Sequence, residues 1–562
     1  MLNTEQYLQL YEEAWYNDQA LYLTNPELFS AAPPTGEPIL PGGLSLEEAR
    51  QNNTNWAEEL TRIGIKQQYD FAVGQNGQGY NYRVGLTYDD QQSYLTQNNY
   101  QRLGARFNGD IDLTDKISFG ITSSLFQGLN NRVDEGWSGG LGAAMGTALP
   151  IYPIYNDDGT YFSGGNNPVR LRELKDWQQR ELRSINSAIL TYKATDNLIF
   201  RATGSYDFMQ LVEDIYEPQE LIGSTHAGVA KRFPLQVRNW NANATATYLF
   251  EAAEGHDFTV LVGTEFQERR QVNGNYFNPV DSSFTNEVID AQGAFFDNPE
   301  LLNQLELDYT NQPGSGNTFA SFFGRVNYSI HDKYLFQAVV RSDASSNFGP
   351  ENRWGVFPSL GTGWIMTKEP FLYDNDVVSF LKLKASIGVS GNAAIPDNQW
   401  RATYGQNGSY YGQPITYQLI RENPTLKWEE STIFDAALEY GFLDDRITGE
   451  IAYYYKYTTD ALLSVSLPRY QGFDNFWDNL GAIVNTGVEF SITARPIVTN
   501  NFTWKVDFNA AYNYNEIASI GGYSEDAVSG GTNDTRVVVG QPVGTNFLVK
   551  FSHVDPATGR PV

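Results

Sequence analysis

The sequence has 562 residues, with 38 Lys and Arg against 66 Asp and Glu, so its formal net charge is −28. It has no cysteine, which excludes disulfide frameworks, thiolate catalysis, zinc ribbons and iron–sulfur clusters. The acidic excess repels phosphate backbones and argues against a general nucleic-acid binder, and no apolar run reaches about 18 residues, so no helix spans a membrane.

The amino terminus, MLNTEQYLQLYEEAWYND, lacks the basic start and apolar stretch of an export signal. Residues 4–23 and 45–64 read as helical, with capping residues and acidic first turns, and APPTGEPILPGG (32–43) joins them as a loop. Each helical stretch is too short to bury a core alone, so 1–64 is expected to be one long loop with short helices rather than a separate domain.

From about residue 65 onward the dominant pattern is alternation, which sends successive side chains to opposite faces of a strand. In 446–457, Ile447, Ile451, Tyr453, Tyr455 and Tyr457 fall on one face, and Arg446, Thr448, Glu450 and Lys456 on the other. Residues 239–250 and 502–515 repeat the pattern, setting Trp240, Tyr248, Trp504 and Phe508 against Asn239, Asn241, Lys505 and Asp507. Similar segments begin near 66, 79, 101, 116, 184, 198, 257, 319, 334, 354, 380, 430 and 482, with a weaker one near 545, giving about seventeen strands. A soluble sandwich would also give one apolar face per strand, so the connections decide. Those near 113–116, 194–197, 251–255, 331–333, 443–445 and 496–500 are short. Those at about 127–182, 209–237, 270–316, 391–428 and 458–481 are long. Short and long alternate, except for two medium connections around 343–379. The fold class expected is therefore all-β, a transmembrane antiparallel up-and-down β-barrel with long extracellular loops, short periplasmic turns and aromatic girdles. Residues 1–64 are its first extracellular loop region and 65–562 its strands.

At this level of detail the chain resembles a known family, the SusC/RagA-like TonB-dependent outer-membrane transporters of the Bacteroidetes. The resemblance rests on ordered blocks: 55–88, 100–120, RSDASSNFGPENRWGVFPSLGTGW (341–364), LKLKASIGVSGN (381–392), NPTLKWEEST (423–432), DRITGEIAYYYKYTTDALL (445–463), NLGAIVNTGVEF (479–490) and VDPATGRPV (554–562). Ala344 and Thr486 depart from the family pattern at scaffold positions, where Gly and Lys are usual. The resemblance implies a barrel of about 22 strands with a plugged lumen, of which about 17 are present here. It also implies that a signal peptide, a carboxypeptidase-like domain, a TonB box, a plug and a first strand precede this stretch, with further strands after it. The implied function is TonB-dependent import of oligosaccharides or peptides across the outer membrane. The implied partners are a SusD-like surface lipoprotein and the TonB–ExbB–ExbD complex, with outer-membrane lipid around the strands and no nucleic acid. No catalytic residue, cofactor or resident metal is implied.

Other motifs read more plainly. His226, His256, His331 and His553 have no metal-ligand spacing, and His256 and His331 fall in short turns. NDDGT (156–160) lacks the closing carboxylate of a Ca²⁺ loop and reads as a hairpin turn, although acidic outer loops leave Ca²⁺ open. GWSGG (136–140) matches the hydrolase-elbow pattern around Ser138, but it lies in a Gly-rich loop without the strand and helix an elbow needs. Asp343, Ser345 and Ser346 read as a turn. The loop aromatics Tyr404, Tyr410, Tyr411, Tyr417, Phe473, Phe476 and Trp477 are candidates for substrate contact, because exposed rings stack on sugars and peptide side chains. Arg201, Arg325, Arg341, Glu450, Lys456 and Lys505 are expected to form a charged, lumen-facing wall, held mainly by mutual pairing. Two rival functions stay open here: a surface hydrolase built on a barrel, and a structural or adhesive barrel.

Overall fold

The computed structural model describes residues 2–134, 140–222, 228–273, 276–280, 315–373, 375–473, 475–528, 535–548, 550–555 and 562. Among them the dominant element is one antiparallel sheet of seventeen strands. Strands β1 (Lys66–Gly77), β2 (Tyr80–Gln92), β3 (Asn99–Thr114), β4 (Ile117–Asn131), β5 (Asp176–Lys193), β6 (Leu198–Pro218), β7 (Gly228–Ala253) and β8 (His256–Asn273) pair each with the next. The short β9 (Tyr276–Val280) pairs back onto the start of β7. The order then continues from β8 through β10 (Ser315–Ile330), β11 (Tyr334–Ser345), β12 (Trp354–Ile365) and β13 (Val378–Asn392). A separate hairpin, β14 (Thr403–Tyr410) with β15 (Gln413–Ile420), precedes β16 (Glu429–Phe442) and β17 (Ile447–Thr459). A second hairpin, β18 (Leu462–Ser466) with β19 (Asn475–Asn479), precedes β20 (Ala482–Val498) and β21 (Thr503–Ser519).

The register shows why alternation specifies this sheet. Tyr334, Trp364, Leu383, Leu438, Ile451 and Phe490 stand directly opposite one another across six successive strands. One residue along, the row reads Lys382, Glu439, Glu450, Ser491 and Asn509. A slip of one residue would exchange the two faces, so the pattern fixes the pairing. The apolar rows are not covered by protein: Tyr334, Leu383, Ile451, Tyr453 and Tyr455 are all exposed. A contiguous apolar surface of this extent is solvated by lipid, not by water.

Connections at one end of the sheet are short: 78–79, 115–116, 194–197, 254–255, 331–333, 443–446 and 499–502. His331 and Asp332 have positive φ of 50° and 51°, a left-handed pair that matches strand twist, and Lys333 N–H closes the turn on Ile330 O. The exception at this end is 366–377, a longer turn with a built interior. The Tyr334 hydroxyl donates to Glu369 Oε1 at 2.6 Å, Trp364 Nε1–H at 3.0 Å, and Lys333 Nζ donates to Oε2 at 3.2 Å. The tyrosine hydroxyl, seconded by the indole and ammonium donors, holds the Glu369 carboxyl below its usual pKa. A carboxyl lowered in the fold contributes stability above its unfolded pKa and loses it as pH falls through the folded value. Amide exchange across 366–373 should therefore accelerate on acidification below the ordinary glutamate range. An unchanged rate in that window would detach the turn from Glu369.

Two sequence expectations are corrected here. The weak strand near 545 is only a two-residue pairing, Thr535–Arg536 with Thr545–Asn546, outside the main sheet. The seventeenth sheet member is β9 instead. Residues 209–237 are not a long loop: β6 runs to Pro218 and β7 starts at Gly228, paired throughout. This part of the hairpin rises past the level where lipid demands an apolar face, so its alternation dissolves although its hydrogen bonds persist. Likewise β5 starts at Asp176 rather than near 184.

The helical region also differs in length and packing. The first helix, α1 (Thr4–Thr24), has 21 residues and a capping box of Asn3 and Gln6, yet only Thr4 and Leu8 are buried. Tyr11, Trp15 and Gln19 donate to the carbonyls of Ile39, Gly36 and Pro34, pinning the intervening loop along the helix. Leu8, Leu40, Trp56 and Leu60 share one core with Ala144, Ile151, Tyr152, Phe162 and Val169 of the β4–β5 connection. Trp56 is 1% exposed, and its Nε1–H donates to Leu149 O at 2.9 Å. Arg62 donates to the carbonyls of Ser93 and Asn98, which places this shared core at the long-connection end of the sheet.

Candidate functional site: the charged face and the loop platform

The polar face of the sheet carries ion pairs from strand to strand. Arg102 meets Asp89 at 2.6 Å, and Arg183 meets Asp207 at 2.8 Å. Arg341 bridges Glu265 at 2.9 Å and Asp343 at 2.7 Å, and also donates to Ser321 Oγ. Lys384 lies between Glu439 at 2.7 Å and Glu450 at 2.8 Å, and Lys505 meets Asp507 at 2.9 Å. Of the six charges expected on this face, register places all six there. Arg341, Glu450 and Lys505 are paired as described. Arg201 stands between Thr191 and Thr245, Arg325 between Leu261 and Val339, and Lys456 between Ile433 and Asn485. These three carry no ion pair among the described residues, and they are the charges left to meet water or a solute.

Near the long-connection end the charges thicken into a cluster that single-strand alternation did not reveal. Trp177 lies between the Arg132 guanidinium, 4.6 Å from its ring centroid, and Lys175 Nζ at 4.8 Å. Its Nε1–H donates to Glu213 Oε1 at 2.7 Å, which also accepts from Arg132. Lys175 pairs with Asp134 and Glu217, and Glu217 pairs in turn with Lys231. The only sequence signal for this group is basic and acidic density on both sides of Trp177, which looks like loop charge until the strand pairing is known.

Above the sheet, the connections 346–353, 393–428 and 460–481 pack on one another. Phe348, Phe357, Ala393, Ile395, Leu426, Trp428 and Leu462 form a buried core. Trp428 centres it, 5.2 Å from the Phe348 ring and 5.3 Å from Phe357, and its Nε1–H donates to Arg353 O at 3.0 Å. Asn347 and Asn423 donate to Ala393 O and Trp477 O, tying the three connections together. Of the three residues read as a turn, Asp343 and Ser345 are instead strand residues at the end of β11, the first paired with Arg341 and the second buried, and only Ser346 lies in the turn.

The loop aromatics divide. Tyr404, Tyr410, Tyr411 and Tyr417 stand exposed on the β14–β15 hairpin, with Tyr411 91% exposed at its tip and stacked edge-on against Tyr410 at 4.7 Å. Tyr404 and Tyr417 occupy adjacent pairing rows and so face opposite sides of that hairpin. Phe476 is 8% exposed, in a core with Val465, Leu480, Ile517 and Ile520, and Arg421 covers its ring. Trp477 packs partly buried against the Trp428 core, and Phe473 is half-buried beside it in sequence. Phe476 and Trp477 hold the loops together; the hairpin tyrosines are the ones presented outward.

NDDGT forms a hairpin turn, with Thr160 N–H donating to Asp158 Oδ1 and Gly159 at a φ of 83°. Among the described residues no three His, Asp or Glu converge as metal ligands. His256 and His331 do meet, their rings 5.6 Å apart, because β8 and β10 bring the two turns together. His226 and Ser138, with most of the GWSGG match, lie outside the described residues.

A single-layer antiparallel sheet with one lipid-type face, one ion-paired face and loops gathered at one end defines a transmembrane β-barrel wall. The TonB dependent receptor-like β-barrel family matches residues 152–549, and the chain belongs to that family of outer-membrane proteins. It is 30% identical to the TonB-dependent receptor SusC of Bacteroides thetaiotaomicron, over 91% of this chain and 53% of that protein. It is also 30% identical to the TonB-dependent receptor P26 of Formosa agariphila, over 89% of this chain and 51% of that protein. The chain thus spans about half the length of the curated relatives it matches. In fold it is similar to the RagAB peptide transporter structure, with a TM-score of 0.80, 20% identity, and 97% of this chain and 60% of that chain covered.

Proposed function

We propose that this chain forms the wall and outer platform of a TonB-dependent importer that takes up oligosaccharides or peptides across the outer membrane. The observation that carries the reading is the 30% identity to SusC, extending along 91% of the chain. The ion-paired face described above supports it, because a hydrated, charged lumen passes polar solutes past apolar lipid. In this reading Arg201, Arg325 and Lys456 line the path as unpaired charges, and the β14–β15 tyrosines make the first contact with cargo. A SusD-like surface lipoprotein covers the outer loops, and the TonB–ExbB–ExbD complex supplies the energy. No step makes or breaks a covalent bond.

The test is uptake by cells carrying the complete gene. Deletion should abolish growth on, and accumulation of, a labelled cognate oligosaccharide or peptide pool, and complementation should restore both. A protonophore should stop accumulation while surface binding persists. Uptake that survives both deletion and uncoupling would sink the import reading. Within that system, replacing Tyr404, Tyr410, Tyr411 and Tyr417 together by alanine should weaken surface binding of cargo by at least about tenfold, since each stacked ring contributes roughly 0.5–1.5 kcal/mol. Barrel assembly, read by heat-dependent gel mobility, should not change.

A further inference from the structure

On the lipid-type face, β6–β8 carry two aromatic rows. The one nearer the short turns holds Phe200, Tyr248 and Phe250, with Phe258 stacked on Phe250 at 5.1 Å. The one nearer the long connections holds Tyr206, Trp240 and Phe266, with the last two rings 5.0 Å apart. Between them this face is uncharged: Ala202, Gly204, Ala242, Ala244, Ala246 and Val262. Eight residues of β7 separate Tyr248 from Trp240, about 27 Å along the strand and roughly 20 Å in height once it is tilted, close to an apolar band of roughly 25 Å. Trp240 therefore marks the outer-leaflet interface.

Two residues beyond Trp240, on the same face, Arg238 of β7 stands directly opposite Arg270 of β8. Like charges placed opposite each other across a strand pair are destabilising unless something lies between them. Arg238 is exposed and donates to Gln236 at 2.9 Å, which leaves its charge uncompensated. The Arg270 side chain is 74% exposed and meets Glu268, which is also held by Trp240 Nε1–H at 2.8 Å. Higher on the same face, Arg180 and Arg232 converge on Asp214, so this flank is net positive on a chain of charge −28.

We propose that Arg238 and Arg270 form a site for the phosphorylated headgroup of an outer-leaflet lipid. The inference rests on the membrane placement argued above. Two guanidinium groups at headgroup height, next to an interfacial tryptophan, present forked donors to a phosphate whose acyl chains lie against the uncharged band. The lipid supplies the anion that Arg238 lacks, adds to Glu268 at Arg270, and seats the barrel at a fixed depth on this side.

The test uses the complete transporter purified in a neutral detergent, with native mass spectrometry and titration of monophosphoryl lipid A against its dephosphorylated form. The phosphorylated lipid should bind preferentially. The double variant R238Q/R270Q should weaken it by about thirtyfold, at roughly 1 kcal/mol per arginine. E268Q, which keeps an acceptor for Trp240, should tighten it. Changing Lys382 and Lys384 on the opposite face should have no effect. Heat-dependent gel mobility checks that each variant is a folded barrel, so a lost barrel is read apart from a lost lipid. Equal binding of the two lipids, indifference to R238Q/R270Q, or displacement by equimolar inorganic phosphate would overturn the proposal. So would retention of a second protein, rather than lipid, by this flank.

Discussion

Trp428→Ala should destabilise the outer platform by about 3–5 kcal/mol, the range for deleting a buried aromatic that the surroundings cannot refill. The ring contacts Phe348 and Phe357 from two other segments, and its indole N–H satisfies the Arg353 carbonyl. Removing it opens a cavity and takes one of two donors from that carbonyl, which keeps Ser345 N–H. The loss should be local. Connections 346–353, 393–428 and 460–481 should become sensitive to protease and to amide exchange together, while the strands below keep their protection. Trp428→Phe should recover most of the packing but not the hydrogen bond. If the three connections lost protection independently, they would not be one cooperative unit and the shared core would be incidental.

Ile451→Arg should cost about 2–4 kcal/mol of barrel stability in lipid, the penalty for a cation at the bilayer midplane. Ile451 pairs with Leu438 and Phe490, and nothing of the protein covers this row. Its sequence neighbour behaves differently. Glu450→Gln removes one partner of Lys384, which keeps Glu439, so the loss should stay within roughly 1 kcal/mol. Urea unfolding of the complete barrel in liposomes measures both. Spin labels at the two positions give a second readout, lipid-accessible at 451 and water-accessible at 450. Equal penalties, or reversed accessibilities, would mean that the faces are assigned the wrong way round.

The contrast between those two residues also shows what alternation can and cannot encode. Where lipid bathes one face, each strand must alternate, and segments such as 446–457 and 502–515 announce themselves. Above the lipid the same strands have water on both sides, so QLVEDIYEP (210–218) carries no such constraint and passes for loop. Its pairing with β7 is set by Asp214, Glu217, Arg232 and Lys231 across the hairpin, contacts between residues about fifteen positions apart. The shared core of Trp56 with Ile151 and Val169 is less legible still. It joins segments roughly a hundred residues apart, and neither half has enough apolar surface to look like a core. Among the candidate site residues, sequence separated the polar face from the apolar one but could not say which charges find partners. Arg341 and Arg325 look alike along the chain, and only the neighbouring strands make one a clasp and leave the other open. Phe476 and Tyr411 differ in the same way, by what folds over them.

The height of β7 has a consequence for what the cell surface offers to the outside. A strand needs about 9–11 residues to cross the bilayer, and β7 has 26. Counted outward from Trp240 to Gly228, the surplus lifts this side of the rim roughly 30 Å above the acyl chains, allowing for strand tilt. Whatever arrives from the medium on this side, whether antibody, phage or protease, meets this parapet before any lipid. The wall is thus also a mast, and shortening the β6–β7 hairpin would lower this rim while leaving Arg201 and the polar face beneath it in place.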